Sequence, residues 1–385
     1  MPNLLAAMAV KPDHIVHLCT PAMSGASAAL ERAYGQSWVK TSVTIRELGE
    51  HPGMIEMNKA VESVIGEMGD AVVNFTGGTK LMSIGAYAAA TRARVPCLYV
   101  DTATGEFING LSGGDFDALF PNGTEISQVS RQLTVNGVAT ANGVERVSSG
   151  KLWKGYAALA DFLLRNPAVE QKCHDMVEPV IRQEPRAFQK MQQYYAELYR
   201  KTLKVSDAVG ELGVQAGLFE QRADGFYPAG KWLEALSGLD LSRPIPAYQV
   251  YPAAEEARWP FSFFSGNWWE VAVMRYFAEQ GRFRDLRWSV NAGSRFGSST
   301  DMEEDILGID GVNLLYVSCK RGGDRAKLSR VLEDVNSSAR RIGGRFAHKV
   351  LAVFVELQGV QRARLLNRCK ELHIELLDCR TVASV

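Results

Sequence analysis

Short apolar runs alternate with amphipathic stretches through the first hundred residues. His14-Ile15-Val16-His17-Leu18 predicts a strand, Ser27–Tyr34 a helix, Val39–Ile45 a strand and Met54–Gly66 a helix. Ala71–Phe75 predicts the next strand, Lys80–Arg92 a helix and Pro96–Val100 a further strand. Strands this short and apolar, each followed by a helical period, fit a parallel sheet with helices on both faces. A Rossmann-like domain over residues 1–145 is the expectation. Asp101–Leu111 and Thr134–Val144 are turn-rich and are expected to carry edge strands.

The pattern changes over residues 151–245. Trp153–Leu164, His174–Ile181 and Glu184–Leu203 repeat with helical period and contain no strand run. Asp207–Glu220 continues as a helix-turn-helix-like pair, and Asp224-Gly225-Phe226-Tyr227 reads as the tip of a small wing. A helical, winged-helix-like connector over 146–255 follows, its role either a structural spacer or a contact to DNA. Pro244, Pro246, Pro252 and Pro260 mark a linker.

Residues 256–385 return to mixed elements. Helix Asn267–Gln280 and strand Leu286–Asn291 come first, followed by a Gly/Ser loop at Ala292–Thr300. Strands Asp305–Ile309 and Asn313–Ser318 flank an Asp310-Gly311 turn. Helix Ala326–Ile342, strand Val350–Glu356, helix Arg362–Leu372 and strand Ile374–Leu377 complete the chain. The expected class is therefore α/β throughout, with a helical middle.

Composition narrows the function only a little. With 385 residues, two or three domains are natural. Lys plus Arg equal Asp plus Glu at 43 each, so no overall field draws the chain to nucleic acid or an anionic membrane. Residues 256–385 hold 20 basic against 16 acidic side chains, a small excess that suits a phosphate-rich partner. The six cysteines form no CxxC pair and no zinc-finger spacing, as expected of thiols in a reducing cytoplasm. The apolar run Leu4–Val10 lacks a basic start and is too short to span a membrane or serve as a signal peptide. A cytoplasmic protein without membrane attachment is the expectation.

The first chemical signal is Asn74-Phe75-Thr76-Gly77-Gly78-Thr79-Lys80. A strand ends in two glycines and a helix starts at once. Glycines let backbone N–H groups face a ligand, and a helix N-terminus offers partial positive charge. Thr76, Thr79 and Lys80 add hydroxyls and a cation, at the strand end where open parallel sheets bind ligands. The GxxxxGK[ST] spacing of a Walker loop is absent, which argues against ATP hydrolysis. The other role open to the segment is a plain strand-to-helix turn. A second loop, Cys19–Gly25, follows the first strand, and its Thr20 and Ser24 are either ligand contacts or helix caps.

This NxTGGTKxM run after a Rossmann strand, with a Thr-containing loop after the first strand, resembles the CARF domains of type III CRISPR accessory proteins. The resemblance covers about residues 1–145. It implies a homodimer that pairs two such domains around a cyclic oligoadenylate, most often the four-membered ring. A two-fold dimer presents each loop twice to a ligand of repeated nucleotides. Carried over by position, Thr20, Asn74, Thr76, Gly77, Gly78, Thr79 and Lys80 are the implied ligand contacts.

The second signal lies in the last third. Glu270 sits on the first helix, the acidic cluster Glu303-Glu304-Asp305 opens the second strand, and Lys320 ends the third. Carboxylates that hold Mg²⁺ or Mn²⁺, with a lysine beside the attacking water, are the parts of a metal-dependent nuclease. Strand alternation puts Glu303 and Asp305 on one face and Glu304 on the other. Asp305, Glu303 and Glu270 are thus the candidate metal ligands, and Lys320 joins them as the catalytic cation. Residues 260–385 resemble the PD-(D/E)XK, restriction-endonuclease-like nuclease domains fused to CARF in cyclic-oligoadenylate-activated DNA and RNA nucleases. One departure stands out: the (D/E)xK pattern expects an acid at 318, and this chain has Ser318.

Two other functions fit parts of the chain. Arg368 and His373 form an RxxxxH pair of the kind that metal-independent HEPN ribonucleases use, but at the end of a helix that feeds a strand. A non-enzymatic regulator, with a CARF sensor and a DNA-binding winged helix, is the other.

Overall fold

The computed structural model describes residues 1–385 except 38, 103, 111–115, 121–122, 186–187, 238–246, 294–301, 323–324 and 356–358. The chain opens with α1 (Pro2–Val10), β1 (His14–Cys19), α2 (Ser24–Gln36), β2 (Ser42–Glu47), α3 (Met54–Met68), β3 (Val73–Asn74) and α4 (Lys80–Ala93). Next come β4 (Cys97–Asp101), β5 (Glu106–Asn109), α5 (Phe116–Leu119), α6 (Ile126–Ser130), α7 (Val135–Ala141) and β6 (Arg146–Val147). The middle holds α8 (Ala157–Arg165), α9 (Pro167–Arg182), α10 (Phe188–Leu198), α11 (Asp207–Gln215), β7 (Phe219–Arg222), β8 (Gly225–Pro228), α12 (Lys231–Ser237) and α13 (Ala247–Ser262). The last part holds α14 (Trp268–Glu279), β9 (Phe283–Gly293), β10 (Met302–Asp310), β11 (Asn313–Lys320), α15 (Arg325–Gly343), β12 (His348–Val353), α16 (Gly359–Leu372), β13 (Ile374–Asp378) and α17 (Cys379–Ala383).

The chain forms two compact units. The first comprises Met1–Gly150, Arg282–Val317 and Glu333–Lys349; the second comprises Lys151–Gly281, Ser318–Leu332 and Val350–Val385.

In the first unit β1 pairs with β2 in parallel, from His14 opposite Ser42 to Cys19 opposite Glu47. Strand β3 pairs in parallel with β4, and β5 adds antiparallel to β4. The sequence predicts one parallel sheet; instead β1–β2 and β3–β4–β5 are separate ladders. The reason is local: β3 is only two residues long, and its Asn74 side chain turns back into the following loop. Helices α3 and α4 pack closely because Gly85 has no Cβ, which would lie 2.4 Å from the Met54 carbonyl oxygen. Their core of Val61, Ala86 and Ala89 receives Leu18 from β1, Val73 from β3 and Phe75 from the loop after β3.

The apolar run at the start is helix α1, with Leu4 and Leu5 fully buried. One segment departs from the sequence expectation here. Thr134–Val144 is not an edge strand. Thr134 accepts a hydrogen bond from the Gly137 amide and caps α7, whose Val135, Val138 and Ala139 are buried at helical spacing. Local capping overrides the β propensity of those valines.

The rest of the first unit is an antiparallel ladder. Strand β6 pairs with β9, β9 with β10, and β10 with β11. The β10–β11 hairpin turns at Gly311, whose φ of 60° lies in the left-handed region. Its register runs from Asp310 opposite Asn313 to Ile306 opposite Val317.

The second unit is mainly helical, with an aromatic core that includes Phe263, Phe264, Trp268 and Trp269. The wing is present as the β7–β8 hairpin. In place of the helix-turn-helix-like pair expected over Asp207–Glu220 there is one helix, α11, which ends at Gln215 because Gly217 takes a φ of 68° and Phe219 already belongs to β7. Pro252 and Pro260 do not mark a linker, since both lie within α13. Burial of Ala253, Ala254, Ala257, Trp259 and Phe261 outweighs the backbone hydrogen bonds that proline removes. Pro244 and Pro246 lie outside the described residues, as does most of the predicted Gly/Ser loop. Among the described residues no helix is long and apolar enough to cross a membrane.

Candidate functional site

The loop after β3 is built by its own side chains. Asn74 Oδ1 accepts from the Thr76 amide at 3.1 Å and from the Thr76 hydroxyl at 2.7 Å. Thr76 Oγ1 in turn accepts from the Val100 amide at 2.7 Å, and Asn74 Nδ2 donates to Asn3 Oδ1 at 3.1 Å. Asn74 and Thr76 therefore hold the loop in shape, with Asn3 of α1 as a support that sequence reasoning missed. Gly78 has a φ of 87°, which a side chain would strain. Thr79 caps α4 by accepting from the Met82 amide at 3.3 Å.

What remains outward is Gly77, Gly78, Thr79 and Lys80, all exposed. Lys80 has no protein partner among the described residues, and the first-turn amides of α4 have no intrahelical acceptor. An exposed cation, two glycines and a helix N-terminus together suit an anion. In the loop after β1, Ser24 is exposed and its hydroxyl donates to the Pro21 carbonyl at 2.9 Å, while Thr20 is half-buried and precedes the turn Pro21–Met23.

In the first unit, β10 carries the acidic cluster with the predicted alternation. Glu303 is exposed and Asp305 half-buried, whereas Glu304 is 2% exposed. Glu303 accepts a hydrogen bond from the Ser289 hydroxyl on β9, and Ser289 itself sits at a φ of 52°, a left-handed conformation rare in a strand. Neither Ser289 nor this bond is visible in the sequence pattern.

Glu304 has a structural occupation on the other face. It accepts from the Tyr316 hydroxyl at 2.6 Å and from Arg341 Nη2 at 2.9 Å. Burial raises its carboxyl above the usual range, while the Tyr316 bond and Arg341 oppose the rise. Arg341→Ala should destabilise the protein by about 2 kcal/mol near neutral pH, below the usual cost of a broken buried pair because Arg341 is 39% exposed. Glu304 holds its proton more tightly folded than unfolded, and more so without Arg341. The penalty is therefore absent in acid and grows as pH rises through the folded value. Urea denaturation at about pH 4 and about pH 7.5 should show the gap from wild type widening with pH; a constant gap would count against the pairing.

In the second unit, Glu270 is half-buried in the first turn of α14. Ser318 is 7% exposed, and Lys320 is half-buried at the end of β11, where its carbonyl accepts from the Phe354 amide at 3.0 Å. The RxxxxH pair is also here. Arg368 is exposed and bonded to Glu371 at 2.6 Å, and exposed His373 follows α16 with a φ of 52°, a helix-ending role. If the chain cuts nucleic acid, Arg368→Ala and His373→Ala should each leave the rate within about twofold of wild type, as surface changes usually do; loss of metal-independent RNA cleavage in a folded variant would point to the ribonuclease alternative.

Among the described residues no three His, Cys, Asp or Glu side chains form a group that could hold a metal ion. Glu303 and Asp305, two residues apart on one strand, nonetheless fit a Mg²⁺ or Mn²⁺ ion of the water-rich kind. Such ions are held through one or two carboxylates plus water and substrate phosphate, not by an all-protein cage.

The chain is thus a mixed α/β protein whose first unit carries the parallel pairs β1–β2 and β3–β4 and the antiparallel β6–β9–β10–β11 ladder. It shares its fold with Can2 from Sulfobacillus thermosulfidooxidans in complex with cyclic tetra-adenylate, at a TM-score of 0.64 and 16% identity, over 100% of this chain and 93% of that one. Protein VC1899 from Vibrio cholerae aligns at a TM-score of 0.68 and 13% identity, over 100% and 93% of the two chains. No protein-family profile matches the sequence, and no curated protein matches it.

Proposed function

We propose that this chain is a nuclease switched on by a cyclic oligoadenylate, with cyclic tetra-adenylate as the activator, and that it acts in type III CRISPR antiviral defence. The observation that carries the reading is a single one: the exposed Gly77–Lys80 loop at the head of α4 occurs in one chain with the Glu303, Asp305 and Lys320 set on the arms of one hairpin. The fold shared with Can2 over nearly the whole of both chains supports it, because that protein is complexed with cyclic tetra-adenylate. In this reading residues 1–145 sense the ligand, 146–255 connect and 256–385 cut DNA, RNA or both.

Gly77, Gly78 and the α4 amides receive phosphate oxygens, Lys80 supplies charge, Thr20, Ser24 and Thr79 line the ring, and Thr76 with Asn74 holds the loop in shape behind them. A cyclic ligand of repeated units calls for a two-fold site, hence a homodimer. Exposed Leu81, Ile84 and Tyr87, three residues apart along α4 and next to the loop, support such a pairing. Ligand binding shifts the dimer toward the arrangement competent to cut. At the nuclease centre, Asp305 and Glu303 would hold Mg²⁺ or Mn²⁺ together with water and substrate phosphate; Glu270, expected from the sequence as a third ligand, forms no three-carboxylate group with them among the described residues. When bound, such an ion would supply Lewis-acid stabilisation of the scissile phosphate. Lys320 orients the attacking water and balances the charge of the phosphate.

The test is cleavage of plasmid, single-stranded DNA and RNA by the purified protein, with and without cyclic tetra-adenylate and Mn²⁺. Cutting that requires both additions, by a protein that light scattering shows to be a dimer, is the expected result. A monomer in both states, or no cutting under any combination, would overturn the reading.

A further inference from the structure

Glu170, on α9 of the middle segment, belongs to no motif, yet it is 2% exposed and fully engaged. Its Oε1 accepts from Arg321 Nε at 2.7 Å and from the Trp268 indole N–H at 3.2 Å. Its Oε2 accepts from Arg321 Nη2 at 3.0 Å, and the same guanidinium reaches Gln171 Oε1 at 3.3 Å. All of these residues lie in the second unit.

The partners matter for where they stand. Arg321 is the residue after Lys320, at the end of β11. Trp268 is the first residue of α14, two before Glu270. One buried carboxylate therefore ties the strand end that bears Lys320 to the helix start that bears Glu270. Other bonds fix the same two places: the Phe354 amide donates to the Lys320 carbonyl at 3.0 Å, and the Trp269 indole donates to the Ala352 carbonyl at 3.2 Å. A buried ion pair is a poor device for stability alone, since apolar residues of like volume often serve as well or better. What a two-point arginine–carboxylate contact gives is fixed geometry.

We propose that Glu170 is a positioning residue for the nuclease centre, holding Lys320 through Arg321 and Glu270 through Trp268. The inference rests on the nuclease reading of Lys320 and Glu270, and it gives the helical middle segment a task in catalysis. Buried and with both oxygens bonded within the protein, Glu170 is a support and not a ligand. Its effect passes through the two backbone ends it joins.

Two variants test it. Glu170→Gln keeps shape and removes the charge; Glu170→Gln with Arg321→Gln removes both charges and guards against misfolding from an unpaired buried guanidinium. Hydrogen exchange should speed up at Ser318–Arg321 and at Trp268–Val271 together, with cyclic tetra-adenylate affinity unchanged. In cleavage assays kcat should fall about tenfold to a hundredfold and the Mn²⁺ midpoint should rise, with KM for an oligonucleotide unaltered, the range typical for residues that support a metal centre from behind. Wild-type exchange at either segment in both variants, or a wild-type kcat and Mn²⁺ midpoint in the double variant, would overturn the proposal. If the wild type cuts nothing, the nuclease reading falls, and the exchange pattern still decides whether Glu170 ties the two ends.

Discussion

Asp305→Ala should reduce metal-dependent cleavage by on the order of a thousandfold or more. Losing a metal-holding carboxylate removes several kcal/mol of transition-state stabilisation, and each 1.36 kcal/mol is a factor of about ten. Asp305 is the central candidate because its neighbours on β10 differ: Glu304 is committed to Tyr316 and Arg341, and Glu303 is exposed with one oxygen bonded to Ser289. Glu303→Ala should therefore be milder. Ser318 makes the prediction sharper. A hydroxyl cannot replace the acid that the PD-(D/E)XK pattern places there, which leaves Glu270 or Glu303 to supply it; if Glu270 does, Glu270→Ala should be nearly as impaired as Asp305→Ala. Ser318→Glu should lower the Mn²⁺ midpoint and make Glu270→Ala less damaging in the double variant. The measurement is a Mn²⁺ titration of plasmid and oligonucleotide cleavage for each variant, with ligand binding checked in parallel. Full activity in Asp305→Ala would show that the centre lies elsewhere.

The sequence was most legible where one physical signal dominated. Strands β9 to β13 and helices α14 to α16 lie close to their predicted positions, because apolar runs there are bounded by charged helices and by the Asp310-Gly311 turn. Alternation along β10 also separated Glu304 from Glu303 and Asp305 correctly, as the burial of Glu304 shows. The reading failed where tertiary packing decided the outcome. Valines at 135 and 138 look like strand residues, yet a threonine cap and a buried face make them helical. Prolines at 252 and 260 look like linker residues, yet a buried aromatic face keeps them in α13. Bonds between distant segments leave no local trace at all. Glu170 and Arg321 are 151 positions apart, and Asn3 and Asn74 are 71 apart, so neither pair shows in any window of sequence.

Lys80→Ala should weaken cyclic tetra-adenylate binding by roughly tenfold to a hundredfold, since a charge-assisted hydrogen bond is worth about 1.5–3 kcal/mol. Lys80 suits this test because it is exposed and has no protein partner among the described residues, so its loss leaves the fold undisturbed. Thr79 needs more care. Its hydroxyl already caps α4 through the Met82 amide, so Thr79→Ala loses about 1 kcal/mol of helix stability whatever the ligand does. Thr79→Ser keeps both hydroxyl and cap, and it should bind almost as well as wild type. Thr76→Val should act differently again. The Thr76 hydroxyl is spent within the loop, donating to Asn74 and accepting from Val100, so its loss should deform the loop and weaken binding through shape. Calorimetry with cyclic tetra-adenylate, together with thermal denaturation of each free variant, separates these roles. Lys80→Ala should lose affinity with an unchanged Tm, whereas Thr79→Ala and Thr76→Val should lose both. The activator concentration for half-maximal cleavage should rise in proportion to the loss of affinity, with the rate at saturation preserved. Wild-type affinity in Lys80→Ala would return the Gly77–Lys80 segment to its other role, a strand-to-helix turn with no ligand.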